Sequence, residues 1–385
     1  MKSNPKTERA SLFSYIMGVA LAFCLLAIAP AVHAGEWKAA RPDYVWSFPQ
    51  DHWARDGYKT EWWYFTGHLT SEDGRRFGYQ FTFFRVGMLP RRPSLASEWA
   101  AGNVIMGHAA IGDLESQRHH FSEVIYRITP LLGGFGEYPD TLIAWSRAPA
   151  GTDALWALRW NGSGFDFAMT DSRQRMGFSL STRPEREMIF QGPNGFSRKG
   201  NAEAAASQYY SFTRLATTGE IRLGGERLSV SGRSWMDKEF GSNQLEAHQV
   251  GWDWFSLQLD DNREVMLYVL RDTTGAADYA RGTIVSASGQ ARFLAPGAFS
   301  IRATETWESP ETDAVYPSRW EVLLPAEDLR LSIRPVMADQ ENHSALIKSM
   351  FYWEGAVEIT GRDGKRIGQG YVELVGYGTG SRPRL

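Results

Sequence analysis

The stretch Glu61-Trp62-Trp63-Tyr64-Phe65-Thr66-Gly67-His68-Leu69-Thr70, the turn Ser71-Glu72-Asp73-Gly74, and Arg76-Phe77-Gly78-Tyr79-Gln80-Phe81-Thr82-Phe83-Phe84-Arg85 read together as a β-hairpin. Asp-Gly between two ring-rich apolar runs is a strong two-strand signal. Side chains on a strand alternate between faces, so Phe77, Tyr79, Phe81, Phe83 and Arg85 share one face and Gly78, Gln80 and Thr82 the other. The aromatic stripe is read as core. Arg85, at its end, is read as a structural ion-pair or cation–π partner.

Outward from this hairpin, the same grammar repeats. A second hairpin joins Trp252–Leu259 to Glu264–Arg271 through Asp260-Asp261-Asn262. Short apolar runs begin near 104, 141, 156, 164, 176, 208, 283, 299, 318, 329, 352 and 370, separated by Gly, Asn, Asp and Ser. Such spacing, with no long amphipathic helix, predicts an all-β antiparallel barrel or sandwich. Residues 121–139 and 191–206 read as loops, the second as a lid over a cavity. Thr218-Gly219 reads as a turn and 244–251 as a short helical turn. Asp73-Gly74-Arg75-Arg76 is echoed by Asp363-Gly364-Lys365-Arg366, suggesting two similar β-units divided near 214–218.

The chain has 385 residues and a formal net charge of −3, with 15 Trp, 15 Tyr and 21 Phe. The length suits two domains, and the rings favour strands and ligand cavities. The charge gives no case for nucleic acid. Residues 1–34 have a basic start, an apolar centre and an Ala31-Val32-His33-Ala34 end, the pattern of a cleaved signal peptide. Export across the inner membrane, to the periplasm, is the expectation. Cys24, the sole cysteine, lies in that leader. The mature chain is expected to form no disulfide, to bind no metal through Cys, and to use no cofactor.

Ser234-Trp235-Met236-Asp237-Lys238-Glu239-Phe240-Gly241 is the chemically loaded stretch. As a strand it projects Trp235, Asp237 and Glu239 from one face, the carboxyls about 7 Å apart. A carboxyl in an apolar, ring-lined pocket has its ionised form disfavoured and stays protonated near neutral pH. Asp237 and Glu239 are therefore the candidate acids, with Asp253 as a third. Trp235, Tyr210, Trp252 and Trp254 are candidate rings for a cationic intermediate, each contributing roughly 0.5–2 kcal/mol. Tyr209, His68 or His108 are candidates to place or deprotonate a water. The competing structural reading pairs the two acids with Arg233, Lys238 or Arg214. It takes Glu61 as a strand-start cap or ion pair and both histidines as satisfied structural groups. No Gly-x-Ser-x-Gly elbow, His-Glu-x-x-His, Walker loop or dinucleotide fingerprint occurs.

Several of these motifs resemble one family. Glu61-Trp62-Trp63-Tyr64 with Gly67-His68-Leu69, Phe77-Gly78-Tyr79-Gln80 with Phe83-Phe84-Arg85, Ser234 to Gly241, and Gly251-Trp252-Asp253-Trp254-Phe255 are similar to the AttH family of predicted secreted hydrolases. That family shares a lipocalin-like fold with carotenoid 1,2-hydratases. The resemblance implies two consecutive lipocalin-like β-barrel units, taken here as 35–214 and 215–385. It also implies acid-assisted water addition to an isoprenoid or other lipid-like substrate. Asp237 matches the hydratases' acid, with Trp235 for their Tyr, Gln208 for their His and Tyr210 for their Trp. Two alternatives stay open. One is a carrier of an apolar or amphipathic molecule, linked to an ABC-type export system and touching the membrane only peripherally. The other is a hydrolase working through an acidic pair.

Overall fold

The structure is a computed structural model that describes residues 36–91, 97 and 99–381. The leader reading of 1–34, with Cys24, lies outside the described residues.

Thirteen strands build a first antiparallel sheet. They are β1 (Thr60–Ser71), β2 (Arg76–Gly87), β3 (Asn103–Asp113), β4 (Arg118–Arg127), β5 (Gly133–Phe135), β6 (Leu142–Arg147) and β7 (Leu155–Trp160). Next come β8 (Phe165–Asp171), β9 (Met176–Pro184), β10 (Ile189–Phe190), β11 (Phe196–Arg198), β12 (Ala206–Leu223) and β13 (Glu226–Gly241). A second sheet holds ten more. These are β14 (Gln249–Leu259), β15 (Glu264–Asp272), β16 (Ala277–Val285), β17 (Ala291–Leu294) and β18 (Ser300–Glu308). The sheet is completed by β19 (Val315–Leu324), β20 (Leu329–Pro335), β21 (Glu341–His343), β22 (Phe351–Thr360) and β23 (Arg366–Val375).

The two sheets share one plan. The first runs β4-β3-β2-β1-β13-β12-β9-β8-β7 and on to β6 and β5; the second runs β17-β16-β15-β14-β23-β22-β20-β19-β18. In each, the first strand pairs with the last, β1 with β13 and β14 with β23, which is how an up-and-down lipocalin-like barrel joins its ends. Each sheet curls around its own core. Trp63, Phe65, Phe77, Phe81, Phe83, Trp156 and Phe167 fill the first; Phe255, Leu267, Trp320, Leu331, Trp353 and Val372 fill the second. The stripe Phe77/Tyr79/Phe81/Phe83 is core, as its alternation requires.

At the end of that stripe, Arg85 donates to Glu61 at 2.7 Å, and Lys238 bonds the other Glu61 oxygen with its ammonium 3.5 Å from the Trp63 ring centre. All three charges are buried, so this is the structural ion cluster expected of Glu61 and Arg85.

Several local expectations are corrected. The sheets change over between Gly241 and Gln249, not at 214/215, because β12 and β13 form one long hairpin of the first barrel. Its turn is Gly224-Gly225, both at positive φ. Gly219 stays within β12: a Cβ there would lie 2.1 Å from the Ser179 carbonyl oxygen, so the glycine marks a close strand approach rather than a turn. Residues 118–127 are β4, a strand too polar to read as one, paired along its whole length with β3. Of 244–251, only 246–249 make a turn, closed by the Gln249 N–H to Glu246 O at 3.0 Å, and β14 starts at Gln249. The Asp-Gly echo is one of turn chemistry. The Gly74 N–H bonds Ser71 O at 2.9 Å and the Gly364 N–H bonds Gly361 O at 3.0 Å. Yet β1–β2 open the first sheet while β22–β23 close the second, so the true counterpart of β1–β2 is β14–β15.

Candidate active site between the barrels

The strands near the barrel contact are buried on both faces. Their outward side chains meet between the sheets in a third apolar cluster holding Tyr64, Tyr209, Trp235, Trp254, Tyr268 and Tyr371. The barrels are further tied by His68 Nε2 to Gly370 O (2.8 Å) and by Gln258 Nε2, which donates to Thr213 O (2.8 Å) and Ser234 O (3.0 Å). Within this contact lies a cleft of about 800 Å³ counted to its open mouth. Neither barrel interior provides it; both outer faces do.

On the first barrel, β13 aims Asp237 and Glu239 into the cleft, and β12 adds Tyr209. Register sets Asp237 between Tyr64 of β1 and Ser211 of β12. The carboxyl accepts from Tyr209 Oη (2.5 Å), Ser211 Oγ (2.5 Å) and Trp235 Nε1 (2.7 Å); Tyr209 Oη in turn accepts from Trp254 Nε1 (3.2 Å). Burial pushes Asp237 up to about 7; the three donors oppose this and Glu239 adds to it. Glu239 bonds Ser207 and pairs with Lys199 Nζ at 2.7 Å. Lys199 arrives from the segment after β11, its ammonium 4.9 Å and 4.5 Å from the ring centres of Tyr209 and Tyr268. The loop reading of 191–206 is corrected in part, since Phe196–Arg198 is strand β11, and Lys199 just beyond it lines the cleft.

On the second barrel, Glu354 of β22 and Glu373 of β23 face the same space and stand directly opposite each other across the pair. Like charges in that register repel. Glu373 is pushed up to about 7, first by burial, against a hydrogen bond from Trp252 Nε1 at 2.9 Å, with Asp237 and Glu239 adding to the rise. Glu354 is held well above the carboxylate range, first by burial and then by Glu373.

Asp237, Glu239, Tyr209, Trp252 and Trp254 therefore come together, and Trp235 supports Asp237 from behind. Four candidates do not join. Tyr210, next to Tyr209, points into the first barrel and bonds His52 Nδ1 at 2.7 Å. Asp253 points into the second barrel, where Arg271 Nε (2.9 Å) and Tyr377 Oη (2.9 Å) hold it. His68 is spent on Gly370, and His108 bonds Tyr352 Oη at 2.7 Å from outside the cleft. Burial lowers both histidines, His68 to about 4 and His108 to about 3, so both are neutral. The structural pairings considered for Asp237 and Glu239 are not made either: Arg233 pairs with Glu185, Arg214 with Glu264 and Lys238 with Glu61.

Sequence reasoning missed Glu354, Glu373, Lys199 and Tyr64. The available signal was an acid in alternation with rings inside an apolar strand, as in Tyr352-Trp353-Glu354 and Tyr371-Val372-Glu373. For a metal, Glu246, His248 and Asp278 each bring one ligand atom within 4.8 Å of the others near the surface. Two of them already brace backbone and side chain: Glu246 holds the Ala202 N–H, and Asp278 holds Gln249 Nε2 at 2.8 Å.

Fold and site together define a protein of two consecutive lipocalin-like barrels whose acidic, ring-lined cleft lies between them. The AttH-like family model matches residues 39–377, and the chain belongs to that family. The crystal structure of an AttH protein from Nitrosomonas europaea is 32% identical, covers 88% of this chain and 99% of its own, and superposes with a TM-score of 0.77. Kievitone hydratase from Nectria haematococca shares the fold at 13% identity, covering 89% and 96% with a TM-score of 0.60. No curated protein sequence matches the chain.

Proposed function

We propose that the cleft performs acid-assisted addition of water to a carbon–carbon double bond of an apolar, lipid-like molecule. The observation that carries this reading is Asp237, a carboxyl that burial pushes up to about 7 in a ring-lined cleft. Protonated Asp237 gives its proton to one alkene carbon. The other carbon becomes cationic and is held by the rings of Trp252, Trp254 and Tyr209. Water adds to it and passes a proton to Glu373, whose range near 7 suits a base. Solvent returns that proton to Asp237, so the cycle closes with one water added. The kinship of fold to a hydratase supports the reading only at the level of architecture.

The test starts with native mass spectrometry of the protein from its own host, with identification of any retained small molecule. That molecule is then incubated with wild type and with Asp237→Asn. Gain of one water by wild type alone supports the proposal. Binding by both without a mass change points to a carrier, cleavage points to a hydrolase, and protein that never retains an apolar molecule sinks the reading.

A further inference from the structure

Glu354 has no part in the chemistry just proposed. Its side chain is 1% exposed and lines the cleft, and neither oxygen meets a hydrogen-bond donor among the described residues. The Tyr64 hydroxyl acts on it without reaching hydrogen-bond geometry and is itself unpartnered. A carboxyl so buried is costly unless something else satisfies it.

The charges around the cleft say what that is. Asp237, Glu239, Glu354 and Glu373 line it, while Lys199 is the one cation lining it among the described residues and is already paired with Glu239. The remaining titratable groups there are the hydroxyls of Tyr64, Tyr209, Tyr268 and Tyr352. Burial raises all four, so they stay neutral. An anion would find four acids and a spent lysine. A cation finds unpaired carboxyl oxygens beside the electron-rich rings of Trp252 and Trp254.

We infer that the ligand of this cleft carries an organic cation, an amine or quaternary ammonium on an apolar body, seated against Glu354 and Glu373 among the indole rings. The inference takes from the proposed function only the location of the site. A permanent cation uses the same rings as the carbocation of that reaction, but it is held by Glu354 as well and its binding requires no turnover. Seating it favours the ionised pair and expels a proton. With Glu373 near 7, release of its proton alone makes affinity rise about tenfold from pH 6 to pH 8.

The experiment is calorimetric titration of the purified protein with phenyltrimethylammonium, with tert-butylbenzene as its uncharged isostere and with benzenesulfonate, at pH 6 and pH 8. The expected result is cation binding at least tenfold tighter than the isostere at pH 8, weakening about tenfold at pH 6, with no benzenesulfonate binding. Glu354→Gln should bring the cation down to the level of the isostere and leave the isostere unchanged. If that variant does not fold, the wild-type comparison decides alone. Equal affinity for cation and isostere at both pH values, or preference for the sulfonate, overturns the inference. Absence of water addition by the wild-type protein, with this discrimination present, would sink the proposed reaction and leave the ligand class standing.

Discussion

Replacing Asp237 by Asn should change how stability depends on pH, with a sign and size set by the site. The carboxyl stands near 7 in the folded chain against an ordinary 3.8. The folded state therefore binds a proton more tightly than the unfolded state. Stability from this group is fully present below about pH 4 and is lost as pH rises toward 7, where the folded carboxyl ionises as well. At about 1.36 kcal/mol per pH unit, the interval corresponds to about 4 kcal/mol. Asn does not titrate and keeps the shape. Its oxygen accepts from Trp235 and Ser211, and its amide donates to Tyr209 after the hydroxyl turns. Asp237→Asn should match wild type near pH 4 and exceed it by about 3–4 kcal/mol at pH 8. Urea denaturation of both proteins from pH 4 to 8 measures the difference, and the other acids of the cleft largely cancel. Parallel stability curves, or an advantage of the variant over wild type that does not grow from pH 4 to pH 8, would refute a carboxyl held neutral by burial and with it the proton donor.

Three further changes test the surrounding structure. Tyr209→Phe removes a donor to Asp237 and the acceptor of Trp254 Nε1, so it should destabilise by about 1–3 kcal/mol and move the Asp237 titration upward; denaturation across pH reads both. Glu61→Leu leaves Arg85 and Lys238 buried without their counter-charge, for a loss of about 3–5 kcal/mol by urea midpoint at unchanged slope. Gly232→Ala puts a Cβ 2.0 Å from the His68 carbonyl oxygen, between β1 and β13. It should cost about 1–3 kcal/mol or more, and a thermal midpoint equal to wild type would show that the strands part without penalty.

The sequence by itself carried the fold through local physics. Alternating rings, Asp-Gly turns and the spacing of short apolar runs determine strands and hairpins, and long, order-preserving motifs identify the family. Alternation also placed Trp235, Asp237 and Glu239 on one face and so found half of the acidic cleft. It did not say which face turns inward, because both faces of the strands at the barrel contact are buried and apolar. Tyr209 and Tyr210 illustrate this: adjacent and equally plausible by type, they fall on opposite sides of β12, one in the cleft and one in a core. β4 and Gly219 were misread because pairing with a neighbour, not local propensity, holds them extended. Only the packing of the second barrel on the first brings Glu354, Glu373 and Trp252 to face Asp237. A carboxyl's proton affinity depends on the water it loses and the charges it meets. Those come from strands distant in the chain, so the chemistry of this cleft exists only in the folded molecule.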